Sequence, residues 1–197
     1  ASGRAQNRCP ERSGAAVSAG GRLILITGPI GAGKTAFCLA AVDWAHAHDW
    51  QVAGLVSPPV FENGVKIGID AVDLRGGQRR RLARLRTGAD GAAIATIGWS
   101  FDPEALQWGN EVLRDAPPCD LLVVDELGPL EFERGQGWTA GLSALDSRLY
   151  RLGLATIRPE LLARARRRWP DAQVEVVASA ESALERAFGP LDALHES

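Results

Sequence analysis

The run Gly28-Pro29-Ile30-Gly31-Ala32-Gly33-Lys34-Thr35 sets glycines, a lysine and a hydroxyl residue at the spacing GxxxxGK[ST], a pattern suited to holding phosphate. Its glycines let the backbone curl until successive N–H groups face inward, and the positive end of a following helix adds to their field. Lys34 supplies a compact, movable charge for β- and γ-phosphates, and the Thr35 hydroxyl can ligate Mg²⁺. Asp125 and Glu126 form the second constellation. Asp125 ends an apolar run, where a carboxylate can hold Mg²⁺ through water; Glu126, the next residue, can polarise a water beside a γ-phosphate. The pairing of two carboxylates predicts hydrolysis of a bound nucleoside triphosphate in preference to binding alone.

Other charged residues are weaker signals. Arg158 follows the run Leu154-Ala155-Thr156-Ile157 and so is expected on the same sheet edge as the phosphate loop, where a cation can stabilise transition-state charge. The competing reading is that it flanks a helix starting at Pro159. The clusters Arg79-Arg80-Arg81 with Arg84 and Arg86, and Arg164 with Arg166-Arg167-Arg168, read first as solvated faces and only second as contacts for polynucleotide. Of 22 basic residues only Lys34 and Lys66 are lysine, so 22 − 2 = 20 are arginine. Against that bias each lysine raises the question of a site that needs a point charge rather than a planar fork. Leu74-Arg75-Gly76-Gly77-Gln78 resembles the signature of ABC ATPases, but Gln78 precedes Asp125 by 47 residues, too many for that context, and the double glycine reads as a hairpin turn. Lys66 lies in Val65-Lys66-Ile67-Gly68, so the chain has no guanine-reading [NT]KxD box and weak base selectivity is expected. His46 and His48, two apart on a helix, do not share a face for a metal.

The elements that must position these residues are legible in the apolar pattern. Leu23 to Ile26 is a continuous apolar run ending at the glycine loop, as in a strand buried on both faces, and Leu121 to Val124 repeats it before Asp125. Helices are expected at Lys34–His48, from Asp102-Pro103 through Leu113, at about Trp138–Leu149 and at Pro159–Arg168. Strands are expected at Val52–Val56, Leu152–Ile157 and Val174–Val177, with a closing helix from Ser179 to Gly189-Pro190. Between Pro58-Pro59 and Gly76-Gly77 short β-like segments, Val65–Leu74 and Arg79–Leu85, predict an antiparallel hairpin insertion. This order predicts an α/β, three-layer sandwich with a mostly parallel sheet.

The chain has 197 residues, suited to one domain, expected over residues 21–197 after a tail at 1–20. With 22 Lys+Arg against 24 Asp+Glu the formal charge is −2, which excludes a global field for nucleic acid or an anionic membrane. Cys9, Cys38 and Cys119 match neither a zinc spacing nor a disulfide framework, and no apolar run is long enough to span a bilayer. A monomer in the cytoplasm is the expectation.

The phosphate loop, the segment from Val60 to Leu74 and above all Leu122-Val123-Val124-Asp125-Glu126-Leu127-Gly128-Pro129-Leu130-Glu131 resemble the cancer-related nucleoside-triphosphatase family. The resemblance covers about residues 22 to 178 and implies a RecA-like P-loop core with an added hairpin. It implies slow, Mg²⁺-dependent hydrolysis of ATP, GTP, CTP and UTP to the diphosphate. By position, the resemblance implies that Gly28 to Thr35 would bind phosphates, that Thr35 and Asp125 would serve Mg²⁺ and that Glu126 would activate water; the residues themselves extend the expected nucleotide-binding set to Ala36, Asp125 and Glu126 and add Lys34 and Arg158 as candidate catalytic cations. Ala36 stands where the family usually has a second threonine, Arg158 where it has a histidine, and Ile97-Gly98-Trp99 where it shows a Val-Gly-Lys-Tyr run. Two other classes fit the same loop: a small-molecule kinase with the Arg164–Arg168 segment as lid, and a nucleotide-dependent switch acting on a protein partner that the sequence does not name.

Overall fold

A computed structural model describes residues 20–86, 95–96 and 98–178. The tail expected at 1–20 falls almost wholly outside the described residues, as do Cys9, Ile97 and the closing helix expected from Ser179. In chain order the elements are β1 (Arg22–Thr27), α1 (Lys34–Ala47), β2 (Val52–Val56), β3 (Pro59–Glu62), β4 (Val65–Asp73), β5 (Arg79–Leu85), β6 (Ala95–Thr96), β7 (Trp99–Phe101) and α2 (Pro103–Arg114). There follow β8 (Cys119–Leu127), α3 (Pro129–Arg134), α4 (Thr139–Ser147), β9 (Tyr150–Ile157), a 3₁₀ turn at Pro159–Leu161, α5 (Leu162–Arg168) and β10 (Gln173–Val176).

One sheet runs β10-β1-β9-β8-β2-β4-β5-β7-β6, with β3 paired to β4. Its first five strands pair in parallel, as continuous apolar runs require, because such strands have no polar face to offer water. Ile24 and Ile26 pack under α1 with Phe37, Ala41 and Val42. Leu23 and Leu25 point to the other face, into the core built with Leu106 of α2, Leu145 of α4 and Ala165 of α5. Strand alternation thus divides the apolar side chains between two cores, and helices cover both sides of the sheet as the sequence predicts. β9 lies between the phosphate-loop strand β1 and the acid-bearing strand β8, with registers Ile26↔Thr156 and Val124↔Ala155.

The antiparallel insertion is larger than a hairpin and is part of the main sheet. β4 pairs antiparallel with β2, so β3 through β7 form a wing on the sheet's far edge. The expected helix near Trp138–Leu149 begins one residue later and ends two earlier as α4, and a separate short helix, α3, precedes it. α3 spans only six residues, too few for a helical period to show, and is closed by Gly135 and Gly137 at φ 60° and 70°. The Asp102 cap of α2 is formed: its carboxylate accepts from the N–H groups of Glu104 (2.9 Å) and Ala105 (3.3 Å).

Candidate active site

The phosphate loop joins β1 to α1. Gly28 has φ 153°, and a Cβ there would stand 2.5 Å from the Val177 carbonyl oxygen, so only glycine passes the end of β10 at this point. Gly31 and Gly33 take φ 82° and 94°. Gly33 begins α1 with no side-chain cap, leaving the first-turn N–H groups of the helix directed at the loop. Pro29 and Ile30 are exposed, Ala32 is half-buried, and Ala36 is exposed in the first turn of α1. Lys34 folds back over the loop, its Nζ donating to the carbonyls of Gly28 (2.9 Å) and Pro29 (3.1 Å).

Across the sheet edge Asp125 is 2% exposed and fully satisfied. The Thr156 hydroxyl of β9 donates to its Oδ1 at 2.7 Å, and the Ser57 N–H, just after β2, donates to its Oδ2 at 3.1 Å. The Ser57 hydroxyl also donates to the Asp125 carbonyl, and the Asp125–Glu126 peptide is cis. The Glu126 side chain is 34% exposed and faces Arg158, whose Nε stands 3.3 Å from Oε1. Burial raises the Glu126 carboxyl above the usual carboxylate range and Asp125 adds to the rise, while Arg158 and Lys34 oppose it. Arg158 leads into the Pro159–Leu161 turn, and its side chain reaches Glu126.

Three contributors have no role in the sequence reading. Ser57 and Thr156 act only through contacts with Asp125 across strands, a relation with no local signature. Glu131 was visible in the quoted Asp125–Glu131 run, but without a role. Its buried carboxylate accepts from the N–H groups of Gly128 and Trp138, each at 2.7 Å, tying both ends of the α3 segment beside Glu126. Burial pushes this carboxyl up to about 7 against the pull of those N–H groups. Lys66, the second lysine, lies 4.8 Å from the centre of the Trp99 ring. The arginine clusters are largely engaged: Arg79 and Arg81 pair with Asp70, Arg80 stacks on Trp108, and Arg164 and Arg168 pair with Glu133 and Asp146.

The donor set suits Mg²⁺. Thr35 and Asp125 offer hard oxygens, and the Thr35 hydroxyl has no hydrogen-bond partner among the described residues. No group of three His, Cys, Asp or Glu side chains is placed to hold a metal among the described residues, so an ion here would also need oxygens from phosphate or water. Cys38 and Cys119 are buried free thiols, and burial raises both, Cys119 to about 12. No helix among the described residues is long and apolar enough to cross a membrane.

A glycine loop between β1 and α1, with an acid pair at the end of a strand one removed from β1, defines a P-loop NTPase of RecA-like architecture. The chain belongs to the NTPase family NTPase_1, whose model matches residues 23–178, in agreement with the resemblance read from the sequence. It is 33% identical over 110 residues to the nucleoside-triphosphatase THEP1 of Methanopyrus kandleri, covering 56% of this chain and 59% of that one. Against THEP1 of Pyrobaculum aerophilum it is 36% identical over 108 residues, covering 55% and 58%. The chain thus spans less than two thirds of the length of these relatives. The solution structure of a human cancer-related nucleoside triphosphatase superposes with a TM-score of 0.65 at 24% identity, covering 89% of this chain and 97% of that one. The crystal structure of THEP1 from Aquifex aeolicus superposes with a TM-score of 0.60 at 16% identity, covering 89% and 99%. Both likenesses are of fold.

Proposed function

We propose that the protein is a Mg²⁺-dependent nucleoside-triphosphatase that releases phosphate from ATP, GTP, CTP and UTP slowly and with little regard for the base. The observation that carries the reading is Glu126, a carboxylate raised by burial, directly after the buried Asp125 and facing Arg158. In this mechanism the N–H groups of the loop Gly28 to Thr35 bind the phosphates, with Pro29, Ile30, Ala32 and Ala36 as parts of the binding stretch. Lys34 leaves the Gly28 and Pro29 carbonyls for the β- and γ-phosphate oxygens. The Thr35 hydroxyl and, through water, Asp125 would hold Mg²⁺, which when bound would supply neutralisation of the charge that builds on the transferring group. Glu126 takes the proton of the attacking water as its oxygen approaches phosphorus, and Arg158 stabilises charge on the phosphoryl oxygens.

The test is phosphate release from each of the four ribonucleoside triphosphates with Mg²⁺, with Glu126→Gln run alongside. Glu126→Gln is expected to keep nucleotide binding and lose roughly 10²-fold or more in turnover, because it removes a general base and leaves the loop intact. Equal turnover of the two proteins would remove Glu126 from the mechanism.

A further inference from the structure

A cavity of about 560 Å³ opens from the phosphate-loop end of the site and runs past Glu126 to the inner face of the antiparallel wing. Its far wall is apolar and largely aromatic, made by Phe61, Ile69, Trp99 and Phe101, with Trp138 on the side of the α3 segment. Phe61 is 59% exposed and Ile30, at the loop's tip, is 93% exposed. The cavity as a whole, its phosphate-loop end included, falls within the range of pockets for organic ligands, about 300–1,000 Å³, and its aromatic end offers an apolar wall that the one water of hydrolysis does not need. On the nucleotide reading proposed above, on which this inference rests for orientation, the γ-phosphate points at Asp125 and Glu126. The nucleoside then extends away from them, so the aromatic end of the cavity lies beyond the γ-phosphate and is not the place of the base.

One cation belongs to that end. Lys66, on β4, is half-buried and lines the cavity; it makes no hydrogen bond or ion pair with any described residue and lies against the face of Trp99. Burial lowers its pKa and the charge of Arg158 adds to the fall, while the charges of Glu126 and Asp125, which line the same cavity, oppose it. In a chain with 22 basic residues it is one of two lysines, and the other sits in the phosphate loop. An unpaired cation beside aromatic faces is complementary to a ring that carries negative charge.

We propose that this chamber is a second-ligand site that takes a flat aromatic or heteroaromatic anion, its ring against Trp99, Phe101 and Phe61 and its carboxylate or phosphate on Lys66. The antiparallel wing then has a function of its own: it supplies the wall and the cation of a pocket that adjoins the phosphate loop without being part of it.

The experiment is calorimetric titration of the full chain with 2-naphthoate and 1-naphthyl phosphate, in the presence of saturating Mg²⁺·ADP. Both probes, or the one whose anion the site prefers, are expected to bind below about 1 mM with the nucleotide in place. Lys66→Ala should weaken that binding by at least about tenfold, as should replacing the probe by neutral 2-naphthylmethanol. Phe61→Ala, at an exposed position, should weaken it several-fold and provides a second variant should Lys66→Ala fail to fold. Absence of heat up to about 5 mM, displacement of the probe by Mg²⁺·ADP, or equal affinity in Lys66→Ala and Phe61→Ala would each overturn the proposal. Displacement would mean that the probe occupies the phosphate loop or that the base of the nucleotide fills the chamber. Lys34→Ala separates the two readings: it should abolish nucleotide binding and leave the probe bound, and a wild-type protein that binds the probe but no Mg²⁺·ADP would sink the nucleotide reading alone.

Discussion

Asp125 is nearly inaccessible, and each of its carboxylate oxygens already has a donor, one from Thr156 and one from Ser57. A buried carboxylate without those bonds would cost far more than the contact it makes. Glu131 is the contrasting case. The backbone N–H donors of Gly128, Trp138 and Glu131 itself are not enough to offset its burial, and its carboxyl stands at about 7 when the ordinary value is 4.5. Between those two values the folded protein binds more protons at Glu131 than the unfolded chain does. Its contribution is therefore complete below about pH 4.5 and is lost as pH rises through about 7. The melting temperature of the wild type is expected to fall between pH 5 and pH 8 by more than that of Glu131→Gln, which cannot ionise and keeps one acceptor oxygen. Parallel pH profiles of the two proteins would refute the assignment. At this scale the phosphate loop, Asp125, Glu126 and Arg158 could be picked out in the sequence from type and spacing. Ser57, Thr156 and the roles of Glu131 and Lys66 could not, since each depends on a neighbour distant in the chain.

The elements divide along the same line. Strands with uninterrupted apolar runs and helices with a local start signal are legible, as β1, β2 and the Asp102-Pro103 start of α2 illustrate. The α2 cap has a measurable consequence. Asp102→Ala removes two N–H contacts from a helix that brings Leu106 into the core and to the cavity wall, and it is expected to cost about 1 kcal/mol in denaturant unfolding. An unchanged midpoint would mean that water replaces the carboxylate at no cost. α3 was not legible, because six residues carry no period and its place is set by Glu131 bridging Gly128 and Trp138. Turn residues that mark β4 and β5 predict only a hairpin, whereas the attachment of the wing to β2 follows from pairing of Leu55 with Asp73 and Val56 with Val72.

On the proposed nucleotide reading, a ligand bound at the phosphate loop would add to the folding stability of the whole molecule, since the loop's N–H groups and the first turn of α1 converge only in the folded chain. At a Mg²⁺·ADP concentration of about 100 times Kd the expected gain is about 2.7 kcal/mol. For a domain of this size that corresponds to a rise in melting temperature of roughly 5–10 °C. The rise should vanish in Lys34→Ala and shrink when EDTA removes the metal; an equal shift in Lys34→Ala would place nucleotide binding elsewhere. What the sequence determined by itself is everything carried by neighbours in the chain: a phosphate loop of eight consecutive residues, buried strands that must pair in parallel, and an acid pair delivered by one of them. What only the tertiary structure decided is which distant atoms meet. Thr156 and Asp125 are 31 residues apart and Ser57 and Asp125 are 68 apart, and they touch because β9 lies between β1 and β8 and β2 lies beyond β8. The chamber behind Glu126 has the same origin, for strand pairing and register bring the wing to face the phosphate loop, and neither is written in any single stretch of residues.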